Sequence, residues 1–376
     1  MRKLRLAIVA PTLSILGGQA VQADRLLRGW RGDPDVDAWL VPINPLPPAG
    51  LRFAIEIKYL RTIVTESTYI PRLARALAKA DVVHVFSASY SSFLLAPLPA
   101  VAVARLLGRP VVLNYHSGEA PDHLARSRVA RAVLARVSRN VVPSRFLADV
   151  FQRFGLEASV VSNTIDLEQF PFRERDPLRP RILSTRNLGY PYNVACTLRA
   201  FQEIQRRRAD ATLTLVGGGP DERALRALAA DLGVRNVHFP GRLAPDAIAR
   251  AYANHDIYLQ SPDIDNMPLS VLEAFACGLP VVSTSVGGVP VMLTHGQHGW
   301  LAPRNDHQAL AAHVLRLLEN PALARRVARA ARETCELCTW SRVRDEWLRL
   351  YCSVLRENRS TAQQPSQARA VPGDQR

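Results

Sequence analysis

The sequence predicts an α/β protein made of two doubly wound, Rossmann-like domains facing each other across a central cleft. Three observations predict it. Short apolar strands alternate with helical runs from Leu6 to Val161, and the alternation restarts at Arg181. A segment marked by Pro171, Pro177 and Pro180 separates the two series. The chain has 376 residues, 48% of them hydrophobic, which is too long for one ordinary core and enough to bury two. The expected divisions are an N-terminal domain over 1–165, a hinge over 166–180 and a C-terminal domain over 181–339. A helix over 340–357 follows, and then a Gln-, Ser-, Pro- and Arg-rich tail over 358–376 that reads as disordered.

The first half opens with a strand at Leu6–Ala10. Arg2, Lys3 and Arg5 precede it, but the apolar run is short, ends at Pro11 and leads into Gly17-Gly18, as a buried strand does and a secretory leader does not. Gln19–Trp30 reads as the helix of a βα unit. Its loop lacks G-x-G-x-x-G, which argues against a nicotinamide or flavin enzyme, whose pyrophosphate needs those glycines. Asp37–Ile43 reads as a strand, and Leu51–Ala80 carries a basic amphipathic pattern in which Arg52, Lys58, Arg61, Arg72, Arg75 and Lys79 alternate with apolar residues. Val82–Phe86, Pro110–Tyr115, Asn140–Ser144 and Ser159–Val161 complete the first sheet. Phe93–Leu107 is the longest apolar stretch, but Pro97, Pro99 and Arg105 break it, and it is too short to span a bilayer.

In the second half the strands read as Arg181–Ser184, Ala211–Val216, Asn236–Phe239 and Asp256–Leu259. The intervening helices read as Tyr192–Arg207, Asp221–Leu232 and Pro245–Ala253. The stretch from Gln260 to Ser283 then reads as loop, helix, turn and buried strand. Its loop holds Asp263, Asp265 and Asn266, Pro268 stands where a helix can start without its N–H, and Cys277-Gly278 closes that helix. Leu279–Val282 reads as a strand buried on both faces. The helix N-terminus therefore points free amides into a loop-lined cleft at the carboxyl edge of a parallel sheet, a ready anion site. Gly287-Gly288 turns into a short helix, and three helical runs lie between His307 and Asn358.

Asp265 and Glu273, with the run Ala276-Cys277-Gly278-Leu279-Pro280-Val281-Val282-Ser283, resemble the acid-x7-Glu signature of retaining family-4 glycosyltransferases. The resemblance covers nearly the whole chain and implies the GT-B fold, with an acceptor-binding first domain, a donor-binding second domain and a last helix crossing back to the first. It implies a hexosyl transfer from a nucleotide diphosphate sugar to a hydroxyl acceptor (glycan, lipid or small molecule), with retention and without a stable protein nucleophile. By resemblance, Asp265 meets the donor sugar and Glu273 the ribose. A carboxylate suits vicinal hydroxyls because it accepts from both. His116, just after a strand, would lie beside the donor sugar and assist transfer. Gly17 and Gly18 would bring backbone close to the donor phosphates or acceptor, the amides of Leu269, Ser270 and Val271 would hold phosphate, and Gly218 and the turn at Arg242 would face the same cleft. Ser144-Arg145, after the penultimate strand of the first sheet, reads as another position facing the cleft.

Two departures stand out. The family usually has Glu where Asp265 stands. It also carries an Arg and, five or six residues on, a Lys that clamp the diphosphate; here Arg186 is present, but the Lys place is filled by Tyr192 or Asn193. Arg186 is then the cation left for the leaving phosphate, and a lysine restored at Tyr192 would be tolerated or help slightly if the usual geometry is kept. Asp263-Ile264-Asp265 also spells the D-x-D of metal-dependent transferases, but Arg186 and a helix end already answer the phosphate charge, so no metal and no cofactor are expected. Cys335 and Cys338 form a lone CxxC in a helical pattern and read as helix packing. Two other readings stay open: a GT-B nucleotide-sugar epimerase, and an inactive nucleotide-sugar binder.

The net charge is +15, and the first half is the basic half, with 21 Lys/Arg against 11 Asp/Glu up to Ile165. No zinc-finger or RNP-type motif accompanies the charge, so nucleic acid is not expected as a partner. Contact with an anionic membrane remains open, as does a purely compositional origin, since 45 of the 48 basic residues are Arg. Five cysteines in a chain of this length do not form a disulfide framework, so the expected location is the cytoplasm, with peripheral contact at the inner face of the membrane left open.

Overall fold

The computed structural model describes residues 2–14, 17–44 and 58–362, and side chains within these except 58–67 and 361–362. The first domain runs β1 (Leu4–Ala10), α1 (Gly18–Gly29), β2 (Val36–Pro42), α2 (Lys58–Leu77), β3 (Val82–Ser87), α3 (Tyr90–Leu95), α4 (Pro97–Leu106) and β4 (Val111–Tyr115). It continues with α5 (Ala120–Arg126), α6 (Arg128–Leu134), β5 (Arg139–Val142), α7 (Arg145–Arg153) and β6 (Ser159–Val160). The second runs β7 (Arg181–Ser184), α8 (Val194–Arg207), β8 (Thr212–Val216), α9 (Glu222–Asp231), β9 (Val237–Gly241), α10 (Pro245–Asn254) and β10 (Ile257–Leu259). It then takes α11 (Leu269–Ala276), β11 (Val281–Thr284), α12 (Val289–Met292), β12 (Gly299–Ala302), α13 (His307–Glu319) and α14 (Pro321–Glu336). The helix α15 (Trp340–Ala362) is the last element of the described residues.

Among the described residues both sheets have six strands, and every pairing in them is parallel. The first has the order β2-β1-β3-β4-β5-β6 and the second β9-β8-β7-β10-β11-β12. Strands such as Val82–Ser87 and Ile257–Leu259 are buried along their whole length because helices cover both faces. The winding direction reverses between β1 and β3 in one sheet and between β7 and β10 in the other. At such a point adjacent loops leave in opposite directions and open a crevice beyond the strand ends. The two-domain Rossmann-like arrangement expected from the sequence is therefore present.

Helix α15 belongs to the first domain's core although it follows the second domain. Its Val343, Trp347, Tyr351 and Val354 share one apolar cluster with Leu6, Ile8, Trp30 and Val112. Each such large apolar side chain contributes about 1.5–3 kcal/mol on burial. Polar contacts fix its register: Tyr351 Oη is 2.7 Å from His84 Nδ1, and Arg344 Nε is 2.7 Å from Asp33 Oδ2.

Several element limits differ from the sequence reading, each for a local reason. Helix α15 continues to Ala362 because no glycine or proline intervenes before Pro365, so 358–362 are helical; 363–376 lie outside the described residues. The strand expected at Leu279 begins at Val281, since Gly278 sits at φ +74° and Pro280 has no N–H. That expected at Asn140–Ser144 ends at Val142 before Pro143, and Ser144 instead caps α7 by accepting from Leu147 N. Helix α8 begins at Val194 behind an Asn193 cap, leaving Tyr192 in the preceding turn. Of the basic region Leu51–Ala80, α2 accounts for Lys58–Leu77, while Leu51–Ile57 with Arg52 lies outside the described residues. Strand β12 was not anticipated, because its apolar run is too short to read, and pairing with β11 forms it.

Candidate functional site

The loop between β10 and α11 lies at the switch point of the second sheet, and backbone contacts hold it from below. Gly288 N donates to Asp265 O at 3.1 Å, and Thr284 Oγ1 donates to Pro262 O at 2.6 Å. Gly287, at φ +52°, lies so close that a Cβ there would sit 2.0 Å from Asp265 O, so this turn admits only glycine. The first domain touches the same loop from above. Ser144 Oγ hydrogen-bonds Asn266 Oδ1, and Asn163 Nδ2 donates to Met267 O at 3.1 Å. Arg145, expected beside Ser144 in the cleft, is an exposed partner of Asp149 instead.

Pro268 caps α11, and among the described residues neither Leu269 N nor Ser270 N has an acceptor. Val271 N donates to Pro268 O at 3.1 Å, and its side chain is fully buried. This corrects the expectation for Val271: the helix end offers the Leu269 and Ser270 amides to an anion, with the positive pole of the helix behind them.

Arg186, on the loop after β7, joins this helix end. Its Nη1 donates to Ser270 Oγ at 2.8 Å and its Nη2 to Asp265 Oδ2 at 2.5 Å, and the guanidinium lies 4.2 Å from the Tyr192 ring centroid. Burial disfavours the charge, but Asp265 and the neighbouring tyrosines outweigh it and raise the Arg186 pKa. Of the two residues at the expected lysine place, Tyr192 therefore faces Arg186. Asn193 caps α8 and donates to Asp263 Oδ1 at 3.1 Å. Asp263 is also held by Arg304 Nε at 2.9 Å, so the two acids of the D-x-D run turn to different cations. Among the described residues no group of three His, Cys, Asp or Glu side chains could hold a metal ion.

Glu273, one turn into α11, also lines the cleft. Its Oε1 accepts from Arg25 Nη2 at 2.9 Å, and burial raises its pKa against the opposing pull of Arg25. Arg25 belongs to α1 of the other domain. The sequence reading passed over it; the one available signal is that it interrupts the buried face formed by Ala20, Gln22, Ala23 and Leu26.

Across the cleft, Gly17 and Gly18 begin α1. Gly17 has extended backbone that any residue adopts, and a side chain there would meet open space, so no tight turn explains this pair. Gly18 lies against Leu269, 3.8 Å from where its Cβ would be. His116 follows β4, stacks on Phe86 at 5.1 Å, and burial lowers its pKa to about 3, so it is neutral. Its Nε2 and the Oδ1 of Asn114 are buried without partners, and both residues also border one small cavity shared with Gln22 and Thr164. Gly118, two residues on, would place a Cβ 3.0 Å from Asp265 C, which brings the loop carrying His116 onto Asp265.

The result is one cleft of about 720 Å³ between the domains, within the range of small-molecule sites. It gathers Gly17, Gly18, His116, Arg186, Tyr192, Arg242, Asp265, Leu269, Ser270 and Glu273. Gly218 is not on its wall: neighbouring Gly217 is, and Gly218 packs against the Arg242 side chain while its carbonyl accepts from Leu188 N. Cys335 and Cys338 do not line the cleft and are buried among apolar residues where the end of α14 packs on α11.

Comparison with known proteins agrees in both halves. The family model for glycosyl transferases group 1 matches residues 167–334, and that for glycosyltransferase family 4 matches residues 16–169. A GDP-mannose-dependent alpha-(1-6)-phosphatidylinositol monomannoside mannosyltransferase of Mycobacterium tuberculosis is 30% identical over 292 residues, covering 70% of this chain and 73% of that one. A glycogen synthase of the same species is 29% identical over 316 residues, 80% of this chain and 71% of that one. Among solved structures, sucrose-phosphate synthase from Thermosynechococcus elongatus superposes with a TM-score of 0.76 at 18% identity, covering 94% of this chain and all of that one. Anabaena HepE in complex with UDP and glucose superposes with a TM-score of 0.75 at 16% identity, covering 93% of this chain and all of that one.

Proposed function

The chain belongs to the family-4 glycosyltransferases of the GT-B fold, and from that premise we propose that it transfers a hexosyl group, with retention, from a nucleotide diphosphate sugar to a hydroxyl acceptor. The observation that carries the proposal is the grouping of Arg186, the unpaired Leu269 and Ser270 amides, Asp265 and Glu273 at one switch point. Spaced along one helix end, they suit a diphosphate flanked by a sugar on one side and a ribose on the other.

In this reading Arg186 and the two amides hold the diphosphate, and their stabilisation grows as its oxygen takes up charge. Asp265 takes a donor-sugar hydroxyl and Glu273 the ribose diol. Neutral His116 offers a hydrogen bond beside the sugar and adds no charge near its anomeric carbon. The bond from that carbon to the phosphate oxygen breaks, a bond to the acceptor oxygen forms on the same face, and the acceptor proton leaves on the diphosphate. In this reading both acids serve as acceptors for donor hydroxyls, so transfer proceeds without a protein nucleophile.

The reaction is proposed to need no metal. The separate cation partners of Asp263 and Asp265 support this, since each carboxylate is already neutralised. Peripheral contact with an anionic membrane is proposed for the first domain, whose packed helices α2, α3 and α4 carry Arg72, Arg75 and Arg105 together with exposed Ile70, Leu94, Leu95 and Leu106. No helix among the described residues is long and apolar enough to cross a membrane.

Thermal shift with a panel of nucleotide sugars tests the donor class. A true donor at a hundredfold its dissociation constant is expected to stabilise the chain by about 2.7 kcal/mol. Release of free nucleotide from that donor without acceptor, unchanged by EDTA, is expected of a metal-independent transferase. Binding without any release would leave only a sugar-nucleotide binder, and activity lost to EDTA and restored by manganese would overturn the metal-free reading.

A further inference from the structure

Arg25 does not line the cleft, yet it reaches a residue that does. It is 7% exposed on the inner face of α1, and its guanidinium is forked. Nη1 donates to Thr164 O at 2.9 Å and Nη2 to Glu273 Oε1 at 2.9 Å. Thr164 is itself gripped by the same helix: Gln22 Nε2 donates to its carbonyl and Gln22 Oε1 accepts from its N–H, both at 2.8 Å. One end of the guanidinium is thus anchored on backbone at the end of the first domain, just before the hinge, and the other end sets where the Glu273 carboxylate lies. An ionised carboxylate has about four acceptor positions on its two oxygens, so Arg25 occupies one and leaves the rest to a ligand. The start of α1 also passes Leu269, so one helix runs along both the phosphate end and the carboxylate of α11.

We propose that Arg25 is a positioning residue for the nucleotide: its fork between Thr164 O and Glu273 holds the carboxylate in the orientation that receives a ribose diol, and ties that orientation to the hinge. This rests on the reading of Glu273 as the ribose acceptor. Lysine cannot replace the fork, because a compact ammonium on a flexible stem lacks the two separated, rigidly placed nitrogens with which a planar guanidinium reaches two acceptors.

The test compares whichever of UDP, GDP and ADP binds the full chain best with its 2′,3′-dideoxy counterpart, by calorimetry. Wild type is expected to bind the dideoxy compound about tenfold more weakly, the size of a hydrogen bond to a charged group. Arg25→Met is expected to bind the two compounds within about twofold of each other, since the carboxylate is then unoriented. Arg25→Lys keeps the buried charge and with it the fold, and is expected to cut the ratio to about threefold. Either variant keeping the tenfold ratio overturns the proposal. A wild type that does not distinguish the two compounds removes the ribose role of Glu273 itself, and the proposal falls with it, whereas a ratio lost only in the variants leaves that role standing.

Discussion

Arg186 Nη2 lies 2.5 Å from Asp265 Oδ2, with both side chains nearly buried, so the cation that suits a donor phosphate is held by the acid that suits a donor sugar. Neither charge is exposed to solvent alone, and a bound diphosphate would compete with Asp265 for the same guanidinium. Arg186→Ala is expected to lower kcat/KM for the donor about a hundredfold, combining lost binding with lost stabilisation of the leaving charge. Asp265→Asn should cost less in donor use and leave nucleoside diphosphate affinity near wild type, because it frees the guanidinium. Steady-state kinetics and calorimetry check both; equal loss of nucleoside diphosphate affinity in the two variants would show that the phosphate lies elsewhere.

The Tyr192 ring covers the Arg186 guanidinium, and this reverses what the sequence suggests for that position. A lysine at 192 would set a second cation against Arg186 and remove the ring face, so Tyr192→Lys is expected to lower donor kcat/KM about tenfold, whereas Tyr192→Phe keeps the face and stays within about twofold. Gain of activity in the lysine variant would mean that the loop rearranges to the usual clamp.

Burial, and then the nearby His116, push the pKa of His84 down to about 3, against 6.5 for an ordinary histidine. The unfolded chain therefore binds a proton between those values that the folded chain refuses. Stability is fully present above pH 6.5 and falls as pH drops toward 3, by about 1.4 kcal/mol per pH unit for one such group. Denaturant unfolding across pH 4 to 6.5 should show His84→Phe with a slope shallower by about that amount. Parallel slopes would mean that His84 titrates normally in the fold.

The full chain is expected to bind anionic vesicles and to release them as salt rises, each cation near the surface contributing about 1 kcal/mol within a Debye length. Sedimentation with phosphatidylserine and phosphatidylcholine vesicles separates the outcomes. Equal binding to both kinds, or none at low salt, would trace the +15 charge to composition alone.

Much of this architecture was legible because its signals are local. Apolar strand runs, Gly and Pro punctuation and the Asp265 to Glu273 spacing lie within short windows, and the cleft gathers most of the residues they named. What was not legible depends on distant partners or on backbone geometry. Arg25 and Glu273 are 248 positions apart, and no pattern within either helix announces the pair. The use of Val271 N by Pro268 O follows from how tightly the first turn winds, and the choice of Gly217 over Gly218 on the wall follows from where Arg242 lies. A buried arginine among small and apolar residues is the kind of local conflict that marks such a missed contact.

The placement of α15 has a consequence for how the protein is made. A ribosome delivers β1 to β6 first, but the flank of the first core that Trp347, Tyr351 and Val354 cover stays open until the last turns have been translated. Some 180 residues separate the end of β6 from the start of α15, and at roughly 5–20 residues per second that interval lasts about 10–40 s. The domain begun first is thus completed only after the second domain has been synthesised between its two parts. A stop codon just before Trp340 would leave the later domain whole and uncover the earlier one.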